Sequence, residues 1–358
     1  MAKVGLVFGG RSVEHRVSVV SARTVAAGLT EAGHQVVALG IAEDGRWVAP
    51  AAGQAALDGA TDVVMAAEDE SVPASLRHLL DAAPEVIFPI VHGTWGEDGT
   101  LQGLCEMLDL PYAGADVAAS AVAMDKLLCK RLLASAGVPV VDFESVAAGE
   151  DFAAAAERAQ RLPAPWFVKP SVGGSSVGIR KVTAAAELED ALAFALGFDD
   201  EVIVERGVTG REIECAVLGY PSLQASVLGE IEPGREFYDY EDKYLEDTAR
   251  LLAPAPLPEE TSHRLRALAI RAFQALGGTG MARVDFFLAE GEDGDQVWVN
   301  EINTLPGFTK ISMYPRLWDL TGVPIPELVD RLVQDALTRH RNRHALDRGI
   351  KEWLGSLG

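Results

Sequence analysis

MARVDFFLAEGEDGDQVWVNEIN, residues 281–303, is the stretch that decides the fold. MARVDFFLA and VWVNEIN alternate apolar and polar residues with a period of two, and the acidic, glycine-containing EGEDGDQ separates them, so they read as a β-hairpin. If the loop closes symmetrically, Asp285 stands opposite Glu301 and Arg283 opposite Asn303, all on one face, while Val284 and Phe286 turn to the other. Directly facing carboxylates repel. Two carboxylates and an amide in this register are most simply explained by a bound hard cation such as magnesium, which takes oxygen ligands and leaves positions for water or phosphate.

Composition limits what such a site serves. The chain has 358 residues, 48% of them hydrophobic, which suggests two or three domains with ample core. A formal charge of -22 argues against a nucleic-acid or anionic-membrane partner, so any nucleotide must be held by local groups. Cys105, Cys129 and Cys215 lie far apart without metal or disulfide spacing, which fits packed thiols in a reducing compartment. No apolar run reaches the roughly 18 residues of a spanning helix, and a cytosolic protein is expected.

The N-terminal stretch has a βαβ rhythm: KVGLVF as a buried strand, VSVVSARTVAAGLTEAG as a helix and HQVVALGIA as a strand. PEVIFPIVHG adds another strand ending at His92, and TLQGLCEMLDL a helix, so an open, mostly parallel sheet is expected. In such sheets ligands bind beyond the strands' C-terminal ends, which draws attention to His92 and the loop GTWGEDGT. The early stretch VFGGRSVEHRVS, residues 7–18, fits neither the dinucleotide fingerprint nor the P-loop. Glu14 would repel a phosphate. It suits either an amine ligand or the positive end of the helix that follows.

WFVKPSVGGSSVGIRKV reads as a second hairpin, whose tip of glycines and serines can fold over phosphates with Lys169 at its base. EVIVERGVTGREIECAVLG follows as strand, turn and strand, with Glu205 at the end of an apolar run where an adenine or ribose contact is available. The tail RNRHALDRGIKEWLGSLG has near-helical apolar spacing at Ala345, Leu346, Ile350, Trp353 and Leu354, open to packing on its own body or on a twin subunit.

Taken in order, GGRSVEHRVSV, HGTWGEDGTLQGL, AMDK, VKPSVGGSSVGI, EFYDYEDKY, ARVDFF and NEINTLPGFTKISMYP resemble the ATP-grasp superfamily and, within it, the D-alanine-D-alanine ligase family. The resemblance covers nearly the whole chain except its C-terminal tail. It implies a three-domain α/β ATP-grasp fold: an N-terminal open, mostly parallel α/β sheet over 1–120, a small central α+β lid over 121–206, and a C-terminal α+β domain with an antiparallel sheet over 207–358. It further implies two magnesium ions, replaceable by manganese, on Asp285, Glu301 and Asn303. ATP would be held by Lys126, Lys169 and Ser176, with Glu205 and Glu212 on adenine and ribose.

The implied reaction joins two D-alanine molecules through an acylphosphate for peptidoglycan precursor synthesis. Glu14 would bind the first ammonium in a network with Ser175 and Tyr244, near His92, while Lys243 and Ser312 receive the second carboxylate. Arg283 and the Gly307 N–H would stabilise the oxyanion. A homodimer is the expected assembly. Alternatives are a ligase that takes D-lactate or D-serine second, another carboxylate–amine ligase, or a non-catalytic ATP-binding module of the same fold. Relatives making D-alanyl-D-lactate or D-alanyl-D-serine lack the tyrosine matched by Tyr244, which favours the dipeptide. Tyr244→Phe is therefore expected to weaken loop closure and shift products toward the depsipeptide; unchanged rates of dipeptide and depsipeptide formation would contradict this.

Overall fold

The computed structural model describes residues 1–66, 70–232, 250–291 and 295–356. Among these residues there are three sheets. The first is parallel, with β1 (Lys3–Gly9) between β2 (Gln35–Ile41) and β3 (Val86–Pro89). The KVGLVFG run of β1 is buried almost throughout, as a strand covered on both faces requires. Helix His15–Glu31 and the helix Ile325–Gly355 pack on one face, and helix Thr100–Met107 contributes Leu101 and Cys105 to the other.

The second sheet is antiparallel, in the order β4 (Phe143–Ala147), β7 (Glu201–Arg206), β5 (Trp166–Pro170), β6 (Arg180–Val182). The expected glycine-serine hairpin is β5–β6, with Trp166 paired to Val182. The third sheet is also antiparallel, in the order β10 (Arg250–Leu252), β9 (Gln224–Glu232), β8 (Arg211–Gly219), β11 (Gly280–Ala289), β12 (Gln296–Asn303). Thus β7 and β8, adjacent in sequence, belong to different sheets, and the turn between them is a crossing rather than a hairpin.

The β11–β12 hairpin has the expected pairs, Asp285 with Glu301 and Arg283 with Asn303, by an unexpected route. At the loop end Ala289 pairs with Gln296, one residue out of symmetric register, and an irregularity between Asp285 and Phe286 restores it. The extra residue is Asn300, and burial records it: Val299 and Ile302 point inward with Asn300 and Glu301 between them. Val284 and Phe286 lie in the core with Phe273 and Leu265 of helix Glu259–Ala275.

The apolar interior does not follow chain order. One core joins Val4, Leu6 and Phe8 of β1 and Val25 and Leu29 of the first helix to Ala216, Leu218, Trp318, Leu328 and Leu332. At Gly28 the two helices are so close that a methyl group would meet Ile325 at 2.8 Å. The second sheet keeps a separate core around Trp166, Val168, Leu192 and Val204. The three thiols are buried, which pushes each up to about 12, so they are inert packing groups. Leu332→Ala, in the shared core, is expected to cost about 2–5 kcal/mol; a lowered urea midpoint with unchanged slope is the check.

Candidate active site

A cleft of about 900 Å³ opens where the three sheets meet, and it gathers residues distant in sequence: Glu14, His92, Lys126, Lys169, Ser175, Ser176, Glu212, Arg283, Asp285, Glu301, Asn303, Gly307 and Ser312. Lys243 and Tyr244 lie outside the described residues.

Its floor is the third sheet. Across three strands Glu214, Asp285 and Glu301 stand in one register row, Glu214 paired with Asp285 and Asp285 with Glu301. Strand neighbours of like charge destabilise a sheet unless a cation intervenes. Arg283 supplies one, donating from Nε and Nη2 to the Asp285 carboxylate at 2.7 and 2.6 Å and lying 3.1 Å from Glu214. Burial opposes its charge, yet Asp285 and Glu214 outweigh that and hold its pKa well above the ordinary value. Asn303 accepts from the Leu305 N–H at 2.9 Å, fixing the start of the loop that follows. Three carboxylates and amides on one patch form an all-oxygen donor set, which fits magnesium or manganese and not a soft metal.

Glu214 was missed in the sequence. The alternation of REIEC carries the signal, since Ile213 and Cys215 are buried and Glu212 and Glu214 share the opposite face. Asn300, exposed to the cleft by the bulge, was not legible from a period of two.

The lysines come from the second sheet and its neighbouring helix, Lys126–Ser135. Asp125 caps that helix, accepting from the Leu128 N–H at 3.0 Å, and also takes the Ser171 hydroxyl at 2.6 Å, tying the helix to the hairpin's base. Lys126 donates to the Gly173 carbonyl at 2.5 Å. Burial, reinforced by Lys169, lowers its pKa, with Glu301 opposing. Ser175 and Ser176 both adopt left-handed backbone, φ 51° and 59°, a conformation uncommon for serine and typical of functional loops.

Glu205 stands behind Lys169 rather than on the cleft wall. Its carboxylate is 2.6 Å from Lys169 and 2.6 Å from Lys130, all three nearly buried. Burial disfavours this charge, but the two ammonium groups overcome it and hold the carboxyl down at about 2. Lys130, one helical turn beyond Lys126, escaped the sequence reading although MDKLLCK places both on one face.

The opposite wall belongs to the first sheet. Glu14 occupies the N-cap of helix His15–Glu31 but makes no side-chain cap bond there. Its Oε2 sits 3.0 Å from where a Cβ would stand on Gly93, whose φ is 76°, so glycine is required by both conformation and space. His92 is buried, with Nε2 3.1 Å from Ser21 Oγ, and Nδ1 3.1 Å from the Leu305 carbonyl and 3.5 Å from Glu97. Burial works against its charge, but Glu97 and Glu14 prevail and raise its pKa. Burial and repulsion from Glu14 in turn raise Glu97, which the sequence reading also missed. Gly307 packs against Ser312, whose hydroxyl accepts from the Thr309 N–H at 2.9 Å; a Cβ on Gly307 would lie 2.8 Å from that oxygen.

A parallel α/β sheet and two antiparallel sheets enclosing a carboxylate floor and a lysine-bearing hairpin define an ATP-grasp ligase fold. The family model described as D-ala D-ala ligase N-terminus matches residues 3–115, and that described as D-ala D-ala ligase C-terminus matches residues 132–334. A D-alanine–D-alanine ligase from Solibacter usitatus is 44% identical over 341 residues, 95% of this chain and 97% of the relative. D-alanine–D-alanine ligase A from Escherichia coli K12 is 44% identical over 359 residues, 96% and 98% of the two chains. Among solved structures, the D-alanine-D-alanine ligase from Coxiella burnetii superposes with a TM-score of 0.82 at 36% identity, covering 98% of each chain. The VanG D-Ala:D-Ser ligase from Enterococcus faecalis superposes with 0.78 at 31% identity, covering 93% of this chain and 99% of that one. The chain belongs to the D-alanine–D-alanine ligase family.

The buried carboxylate of Glu205 gives a pH test. Because its folded pKa of about 2 lies below the ordinary 4.5, its stabilisation is fully present above pH 4.5 and is lost as pH falls through about 2. Glu205→Gln, which leaves two buried lysines without a counter-charge, is expected to lower unfolding free energy by about 3 kcal/mol near neutrality. Urea melts should show the gap from wild type closing as pH falls from 4.5 toward 2.

Proposed function

We propose that this enzyme joins two D-alanine molecules at the expense of ATP, giving D-alanyl-D-alanine, ADP and phosphate. The observation that carries the reading is the row Glu214–Asp285–Glu301 facing Lys126 and Lys169 across one cleft, with Glu14 on the third wall. An anion-binding side, a cation-binding floor and a carboxylate for an ammonium group are the three parts that activating an amino acid requires.

ATP use with a divalent metal goes with the family; magnesium on Asp285, Glu301 and Asn303 is our assignment, with manganese able to replace it. When bound, the metal supplies neutralisation of phosphate charge. The chain's own residues do the rest. Lys126 and Lys169 hold the phosphates, Ser175 and Ser176 cover them, and Glu212 faces the ribose, while Glu205 acts behind, holding Lys169 in place at 2.6 Å. Glu14 holds the first ammonium, and His92, clamped between Ser21 and the Leu305 carbonyl, braces the loop that carries Gly307.

A carboxylate is a poor electrophile until it gains a leaving group. The first D-alanine's carboxylate oxygen attacks the γ-phosphorus and ADP leaves, giving an acylphosphate. The second D-alanine's amine then attacks the acyl carbon; Arg283 and the Gly307 N–H stabilise the oxyanion, and phosphate departs as the amine loses its proton. Ser312 receives the second carboxylate, together with Lys243, and Tyr244 joins Glu14 and Ser175 in closing the site. We assign the three segments 1–120, 121–206 and 207–358 to first-substrate binding, nucleotide cover and metal-bearing floor. Among the described residues no helix is long and apolar enough to cross a membrane. A cytoplasmic homodimer that binds neither membrane nor nucleic acid completes the proposal. The likeness to a D-Ala:D-Ser ligase keeps D-serine as a second reading for the second subsite.

Phosphate release from ATP and magnesium, with products identified by mass, tests the proposal against D-alanine alone and D-alanine with D-lactate or D-serine. Release with D-alanine alone and formation of the dipeptide is expected; release that needs D-serine or D-lactate would replace it. ATP binding with no release from any of them would favour the non-catalytic module. Glu301→Gln and Asp285→Asn should each lower the rate about 100-fold or more through metal binding; unaltered magnesium dependence in both would remove the carboxylate row from the mechanism.

A further inference from the structure

Away from the cleft, the long helix Ile325–Gly355 carries two histidines one turn apart, His340 and His344, beyond residue 334 where the family match ends. Both face Asp109, which follows helix Thr100–Met107 with φ 55°. The three donor atoms already form a triangle. His340 Nε2 lies 3.0 Å and His344 Nε2 2.8 Å from the same Asp109 Oδ1, and the two nitrogens are 3.2 Å apart.

Those edges can be compared with what a metal would impose. Ligand atoms bonded at about 2.0–2.2 Å are separated by about 3.3 Å around a tetrahedral ion and about 2.9 Å around an octahedral one. The observed edges, 2.8, 3.0 and 3.2 Å, lie close to these values, so a metal seated just above the triangle's plane would need little rearrangement. Without one, both imidazole Nε2 atoms meet a single carboxylate oxygen, and a metal would take these contacts over as ligand bonds.

The triangle is also held from outside. Arg339 donates to the Tyr112 and Gly114 carbonyls at 2.8 and 2.7 Å, and Arg343 pairs with Glu106 at 2.6 Å, so the helix is pinned to the Asp109 segment on both sides of His340. A pocket of about 250 Å³ adjoins it and includes Asp347, a further oxygen donor one turn on. The side chains of His340, His344 and Asp109 are 27%, 46% and 70% exposed, which leaves an ion an open path.

We infer that His340, His344 and Asp109 form a divalent transition-metal site that clasps the C-terminal helix to the N-terminal segment. Two imidazoles and one carboxylate select the zinc class of ion over magnesium, which prefers oxygen alone.

The test uses the full chain dialysed against Zn²⁺ in excess magnesium, which keeps the cleft's carboxylates occupied. One zinc per chain is expected, and that equivalent should be lost in the double variant H340Q/H344Q. Asp109→Asn, which leaves the helix untouched, should weaken binding, and circular dichroism checks that each variant folds. Cobalt titration should give visible d–d bands in the wild type that the double variant lacks. Zinc should slow tryptic cutting after Arg341, Arg343 and Arg348 in the wild type only. Phosphate release with magnesium should be unchanged in these variants, because none of the three residues lines the cleft. No zinc bound by the wild type, or equal zinc bound by wild type and double variant, would overturn the site; zinc bound without altered proteolysis would overturn the clasp.

Discussion

The arrangement of the cleft depends on crowding negative charge onto one sheet. Glu214, Asp285 and Glu301 stand side by side across adjacent strands, and Arg283 lies among them as a permanent counter-charge. Three carboxylates in one register row repel one another, and the guanidinium set among them offsets part of that repulsion. The sheet can carry this load because its other face is fully apolar, with Val284, Phe286, Val299 and Ile302 packed against helix Glu259–Ala275. In a chain with net charge -22, the cleft nevertheless gathers Lys126, Lys169 and Arg283, so its positive charge is local rather than spread over a basic surface.

The opposing side shows the same economy. Lys130, Lys169 and Glu205 form a nearly dry triplet in which one carboxylate serves two ammonium groups. Removal of a charge from such a triplet leaves the others desolvated and unbalanced. Glu205 is set back from the cleft by the two lysines it pairs with, and the same two ammonium groups lower its pKa.

Much of this was legible in the sequence because the hairpin has a strict period. Alternation with a symmetric loop put Asp285 opposite Glu301, and the register reached that pairing through two offsetting departures, a shifted loop and a bulge at Asn300. Period two cannot foresee a bulge. Of the residues that escaped notice, Lys130 and Glu214 pair with charges in other segments, Glu205 and Arg283, and Glu97, beside His92 in its own loop, also feels Glu14 from the first helix, so their meaning exists only after folding. Strands β7 and β8 follow one another through a turn yet lie in different sheets, because β7 pairs back to β4 and β5 while β8 pairs forward to β9 and to β11.

The shared core has a consequence for how such chains can be rearranged. The first strand and helix are sealed by residues near the other end, with Gly28 against Ile325 and Leu29 in one cluster with Leu328 and Leu332. The segment that holds Glu14 therefore cannot be grafted into a relative without the helix that covers it. Because Ala216, Leu218 and Met281 of the third sheet share that core, the span from Glu14 to the carboxylate row is a length cut at folding, like the gap between two marks on one ruler.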